Sequence, residues 1–236
     1  MTDNVSRPSD VVNRAYAILS GDDDLDRACE AIPEVACTAV PRNFLLNLAN
    51  GAATKLAEQI ASPGLVLAWL LGAIGAPLVL AGFLVPIRQA GALMPQLAAA
   101  ARIRAVPLRK LYWARAGTVQ AFALAAMIPA VIVLPPTMAG FAVLGLLTVF
   151  SVASGVGSVA FQDVMGKTVP KARRGRLLAG RAAVGGALAV GVALFLHLGP
   201  DFSDRLWPIL VLVGAAALLW LVGAGLFAAI DEVPGE

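Results

Sequence analysis

From residue 43 to residue 230 the chain alternates long apolar runs with short polar stretches. A helix rises about 1.5 Å per residue and the hydrocarbon core of a bilayer is about 30 Å thick, so a spanning helix needs about 20 mostly apolar residues. Six segments meet that need: residues 43–61, 72–98, 111–134, 137–161, 177–198 and 206–230. Pro135 and Pro136 close the third segment, because proline cannot continue a helix. The pattern predicts an all-α integral membrane domain of six transmembrane helices over 43–230. An acidic amino-terminal segment, 1–42, precedes it, and a short tail, 231–236, follows.

Composition strengthens this expectation. Hydrophobic residues make up 59% of the chain and charged residues only 14%, where a soluble domain carries about a quarter charged. Mean hydropathy is +0.80. The expected solvent for most of the protein, and its first partner, is the lipid bilayer.

Charge orients the spans. Arg102, Arg104, Arg109, Lys110 and Arg115 follow the second segment, and Lys167, Lys171, Arg173, Arg174, Arg176 and Arg181 follow the fourth. The opposite turns, 62–71, 135–136 and 199–206, hold one basic residue, Arg205. Lys and Arg in short loops stay on the cytoplasmic side. Both basic loops are therefore expected inside, both termini are cytoplasmic, and the chain is a multi-pass protein of the cell (inner) membrane. The net charge of +3 then reports topology, and nucleic acid is not an expected partner.

Segment 1–42 carries the acid run Asp22, Asp23, Asp24 and Asp26 and a weakly amphipathic stretch at 11–19. It lacks the basic start, apolar core and cleavage site of a signal peptide. The acid run reads as solvated and mobile, and loss of residues 1–20 is expected to alter neither insertion nor activity. Cys29 and Cys37 face a reducing compartment and have no histidine nearby, so neither a disulfide nor a zinc site is expected.

Several polar residues fall where lipid should be. Asn47, Asn50, Gly51, Thr54, Lys55 and Glu58 recur at spacings of three and four, which puts them on one face of the first helix. Arg88 lies about 13 Å from the cytoplasmic end of the second helix, at a depth similar to Lys55, with Glu58 about one turn further out. An ionisable group at the bilayer centre costs about 2.5–3.5 kcal/mol and normally faces a bundle interior or aqueous cavity with a partner. Glu58 is the acid available to both Lys55 and Arg88, so one positive charge is left for an anionic solute or for an acid from another protein. Gln120 adds a neutral hydrogen-bonding group in the third helix. His197 sits near the outer end of the fifth and is either an interfacial residue or a proton carrier.

Two other readings of these residues stand beside the site. Residues 43–59 lying flat on the membrane would leave 64–87 as the first of five spans. Lys55, Glu58 and Arg88 as a fixed clamp would specify helix packing without touching a solute. Gly145, Gly155, Gly157, Gly185, Gly186 and Gly191 are expected to permit close helix approach. Gly155 and Gly157 form no nucleotide loop, since no phosphate-binding lysine follows them. With one histidine and no catalytic or metal-binding motif, neither enzyme activity nor a cofactor is expected.

The segment bearing Asp163, Lys167, Pro170, Lys171, Arg173, Arg174, Gly175 and Arg176, followed by Gly180 and Arg181, resembles the cytoplasmic connection between helices four and five of the major facilitator superfamily. Segments 29–41, 67–77, 84–88 and 93–97, with Arg109 and Lys110, are similar to a poorly characterised bacterial branch of that superfamily. The likeness covers about residues 24 to 230. It implies the amino-terminal half of a transporter, built as a 3+3 inverted repeat of 43–134 and 137–230. It implies a translocation site at Asn47, Asn50, Thr54, Lys55, Glu58, Arg88 and Gln120. A cytoplasmic gate or loop would involve Arg109, Lys110, Asp163, Lys167, Arg173, Arg174 and Arg176. The usual signature between helices two and three lacks its aspartate and glycines here, and the Gly-Pro pattern of antiporters is missing from the fifth helix. A complete transporter has two such halves with the solute held between them. The expected function is therefore transport of a small polar or anionic solute by a homodimer or by pairing with a separate six-helix half. The alternative is a truncated, non-transporting protein that scaffolds or modulates another membrane complex.

Overall fold

A computed structural model describes residues 8–20, 39–104, 106–198 and 206–234. Among them every regular element is an α-helix: α1 (Pro8–Ser20), α2 (Val40–Ile60), α3 (Val66–Ala73), α4 (Leu78–Leu93), α5 (Gln96–Arg104), α6 (Lys110–Val133), α7 (Pro136–Thr168), α8 (Lys171–Leu198) and α9 (Leu206–Ala228). Helices are what lipid demands of such a chain, because each backbone donor and acceptor is satisfied within its own segment. The acid run, Cys29, Cys37, Arg205 and the side chain of His197 lie outside the described residues.

Among the described residues four helices are long and apolar enough to cross a membrane: α6, α7, most of α8, and α9. The protein is thus a helical bundle suited to a multi-pass membrane setting. The other two expected spans differ from that simple form. Helix α2 carries Arg42, Lys55, Glu58 and three asparagines within 21 residues, while α4 is apolar but only 16 residues long.

The expected span over 72–98 is broken into pieces. Gly75 has φ +69, a left-handed turn open to glycine, and Pro77 follows it, so α3 ends and α4 begins. Pro95 separates α4 from α5 at the other end. Helix α7, in contrast, runs on to 33 residues, about 50 Å at the usual rise and longer than a bilayer core. Helix α8 begins at Lys171, ahead of the expected start at 177.

The main packing partners are α2 with α8 and α9, α7 with α4 and α6, and α6 with α9. Leu67, Leu70, Leu124, Met127, Leu147 and Phe227 lie at the centre, each essentially inaccessible. Helix α2 belongs to this interior: Asn43, Asn47 and Asn50 are 0% exposed. That burial sets one face of α2 against α8 and α9 within the bundle. Helix α8 stands apart, with 11% of its apolar window buried against 44% for α6 and α9, so most of its surface faces outward.

A smaller core joins Tyr16 of α1 to Val40, Phe44, Met165, Val169 and Leu177. Tyr16 meets Phe44 edge to face at 5.3 Å, and the Arg173 guanidinium lies 4.8 Å from the Tyr16 ring and donates to its hydroxyl. A freely mobile tail therefore does not describe residues 8–20, which dock on α2 and α8.

Candidate functional site

Helix α2 brings Lys55 and Glu58 together one turn apart, with Nζ donating to Oε2 at 2.8 Å. Arg88 of α4 approaches the other carboxylate oxygen at 3.5 Å, donates to Ser154 Oγ at 3.2 Å and lies 5.2 Å from the Phe150 ring. The three charges singled out in the sequence thus form one cluster between α2 and α4, tied to α7 through Ser154. Beside it lies a cavity of about 220 Å³, lined by Thr54, Lys55, Glu58, Gln120 and residues of α6 to α9.

A fourth charge joins the cavity that the sequence reading placed in a loop. Arg181 is 9% exposed and donates through Nη1 to the Asn47 carbonyl at 2.7 Å and to Asn50 Oδ1 at 3.1 Å, while its guanidinium covers the Phe161 ring at 4.4 Å. Because α8 starts at Lys171, this arginine lies well inside the helix. The signal available in the sequence was an arginine within a glycine- and alanine-rich helical run.

Local backbone geometry makes this crossing possible. A Cβ on Gly51 would overlap the Arg181 side chain, and a Cβ on Gly185 would come within 2.5 Å of the Lys55 Cβ. Each helix gives a glycine to the other's long basic side chain, so α2 and α8 can approach closely. Gly155 likewise admits the Ala92 carbonyl of the α4 segment, whereas Gly145, Gly186 and Gly191 have nothing nearby and do not serve the close approach expected of them.

The remaining members of the polar stripe have mixed placements. Asn47 and Asn50 are buried among helices: Asn47 Nδ2 donates to the Asn43 carbonyl at 3.1 Å and Asn50 Nδ2 to the Gly223 carbonyl of α9 at 2.9 Å. Thr54 reaches the cavity while donating to the Asn50 carbonyl at 2.9 Å. Gln120 donates to the Ala116 carbonyl at 3.3 Å, but its buried Oε1 has no partner. Trp220, another lining residue, has its buried Nε1 unpaired as well.

The loop candidates assemble elsewhere, at one end of the bundle. Arg109 and Asp163 pair at 3.3 Å, and Lys167 pairs with Glu232 at 3.2 Å. Lys110 donates its Nζ to the Ile230 carbonyl at 2.6 Å and its backbone N–H to Glu232 Oε2 at 2.8 Å. The Glu232 carboxylate therefore sits at the positive start of α6. Arg174 donates to the carbonyls of Gly166 and Val169, covering the end of α7. Arg176 is exposed. Glu232, Asp231 and Tyr16 were not among the expected site residues. Asp231 pairs with Arg42 and exchanges two hydrogen bonds of 2.9 Å with Asn43.

No protein family, characterised protein or solved structure matches this chain. No metal-binding cluster occurs among the described residues. What the cavity offers is positive charge, aromatic surface and unpaired hydrogen-bonding atoms, which suit reversible binding of a solute.

Proposed function

We propose that this chain is one half of a transporter of the major facilitator type, carrying a small polar or anionic solute across the cell (inner) membrane by alternating access. The observation that carries the reading is the cavity at the Lys55–Glu58–Arg88 cluster. Its lining includes Lys55, Ser158, Leu178 and Ala182, all exposed, so it opens on the face formed by α2, α7 and α8. The Lys55 side chain is 51% exposed there, and an unshielded charge at bilayer depth costs about 2.5–3.5 kcal/mol. A second copy, or a separate six-helix half, would cover that face and supply the other wall.

The packing supports six spans in two related triplets, α2–α4–α6 and α7–α8–α9. Exchanging α2 with α7, α4 with α8 and α6 with α9 carries the main helix contacts onto one another. Arg88 and Arg181 stand equally far along α4 and α8, and each donates to the first helix of the opposite triplet, Arg88 to Ser154 and Arg181 to Asn50. This is the arrangement an inverted repeat would generate. The positive-inside rule then places the end bearing Arg109, Lys167 and Arg173 in the cytoplasm.

The native mass of the complex in mild detergent, with every component identified, tests the second wall. A homodimer or a pair with another six-helix chain is expected, and a lone monomer would sink the half-transporter reading. Once a transported solute is in hand, Lys55→Ala and Arg88→Ala are each expected to abolish its flux with yield and insertion kept. Unchanged flux in both would sink the substrate-site assignment and leave Glu58 as a packing clamp between α2 and α4.

A further inference from the structure

We infer that the cavity takes a small hydroxylated organic anion with a flat apolar body, its anionic group between Lys55 and Arg181 and its body against the tryptophans. This rests on the solute-binding reading above and narrows it.

Two cations, Lys55 and Arg181, and one acid, Glu58, line the cavity, and Glu58 is already shared with Arg88. Among the described residues no other carboxylate lies in these helices at the cavity. Arg181 commits Nη1 to two neutral acceptors, leaving Nε and Nη2 without a protein acceptor among the described residues. Lys55 Nζ gives Glu58 one hydrogen bond and has further donors. An uncompensated cation in a low-dielectric site is unfavourable, and a ligand anion relieves it.

The rest of the lining selects the ligand's body. Trp113 and Trp220 stand with ring centroids 6.3 Å apart, and both line the cavity with Phe161. Aromatic faces favour a flat apolar group over a fully hydrated ion. Gln120 and Trp220 are 2% and 4% exposed, yet Gln120 Oε1 and Trp220 Nε1 lack partners. One needs a donor and the other an acceptor, and buried polar atoms left unpaired are costly. A hydroxyl substituent provides both functions. The volume of about 220 Å³ has room for roughly ten heavy atoms, not for a nucleotide or an oligosaccharide.

Calorimetric titration of the full chain, in its native complex in lipid nanodiscs, tests this with four probes: 4-hydroxybenzoate, benzoate, 4-hydroxybenzamide and inorganic phosphate. Binding of 4-hydroxybenzoate is expected to be at least tenfold tighter than that of the neutral amide or of phosphate. Lys55→Gln should weaken it tenfold or more without moving the thermal midpoint. Trp220→Phe should weaken 4-hydroxybenzoate more than benzoate and so narrow the gap between the two. The inference is overturned if the amide or phosphate binds equally well, or if the folded wild-type complex binds none of the four. A two-walled complex that ignores 4-hydroxybenzoate would remove this ligand class and leave the transporter reading standing. A monomer that binds it would do the reverse.

Discussion

At the basic end, Arg109 faces Asp163, Lys167 faces Glu232 and Arg42 faces Asp231; in the cavity, Lys55 and Arg88 share Glu58 while Arg181 has neutral acceptors. Both regions gather charge from several helices, yet only the first matches these cations with acids one to one. Paired charges fix helix ends against each other. An excess of one sign inside a bundle is retained at a cost to stability and points to something that binds. The two regions should therefore respond differently to substitution.

Arg181→Ala is the most severe test, because Arg181 belongs to the cavity by charge and to the α2–α8 packing by geometry. Removing it strands the buried Asn50 Oδ1 and takes a second, charge-assisted bond from the Asn47 carbonyl, at about 2–4 kcal/mol in all. A lowered thermal midpoint together with lost anion binding is expected, and an unchanged midpoint would break the assignment of Arg181 to the interior. Next comes Gly185→Ala, which crowds Lys55 and should cost about 1–3 kcal/mol. Gly186→Ala, where nothing lies within 4 Å, should leave the midpoint alone, and equal losses in both would discredit the close crossing. The smallest effect is expected from Glu232→Gln at the other end. It weakens the Lys167 pair and the start of α6 by about 1–2 kcal/mol. Solute binding should not change, and a shift in affinity would show that the two regions are coupled.

The apolar runs made α6 and α9 legible almost to the residue, because length and hydropathy alone decide where such helices stop. The meeting of Lys55, Glu58 and Arg88 was also readable from helical spacing and depth. Arg181 was not, since its neighbours Lys171, Arg173, Arg174 and Arg176 made it look like the last member of a basic loop. The extra turns of α7 past Phe161 were missed for a similar reason: Asp163 and Lys167 read as loop residues, although a helix can continue out of the bilayer with charges on it. Gly75, Pro77 and Pro95 carried a visible warning that the second segment would break. Tyr16 and Glu232 gave no comparable signal, because their partners lie far away in the chain.

That distance has a consequence for how the bundle is made. Asn43 and Asp231 are 188 positions apart, and Lys110 and Glu232 are 122 apart. The ribosome therefore delivers Arg42, Asn43, Lys110 and Lys167 long before the residues that tie them together. Contacts of such long range form late. The nascent helices must wait, with their basic ends open, until Asp231 and Glu232 emerge to close them.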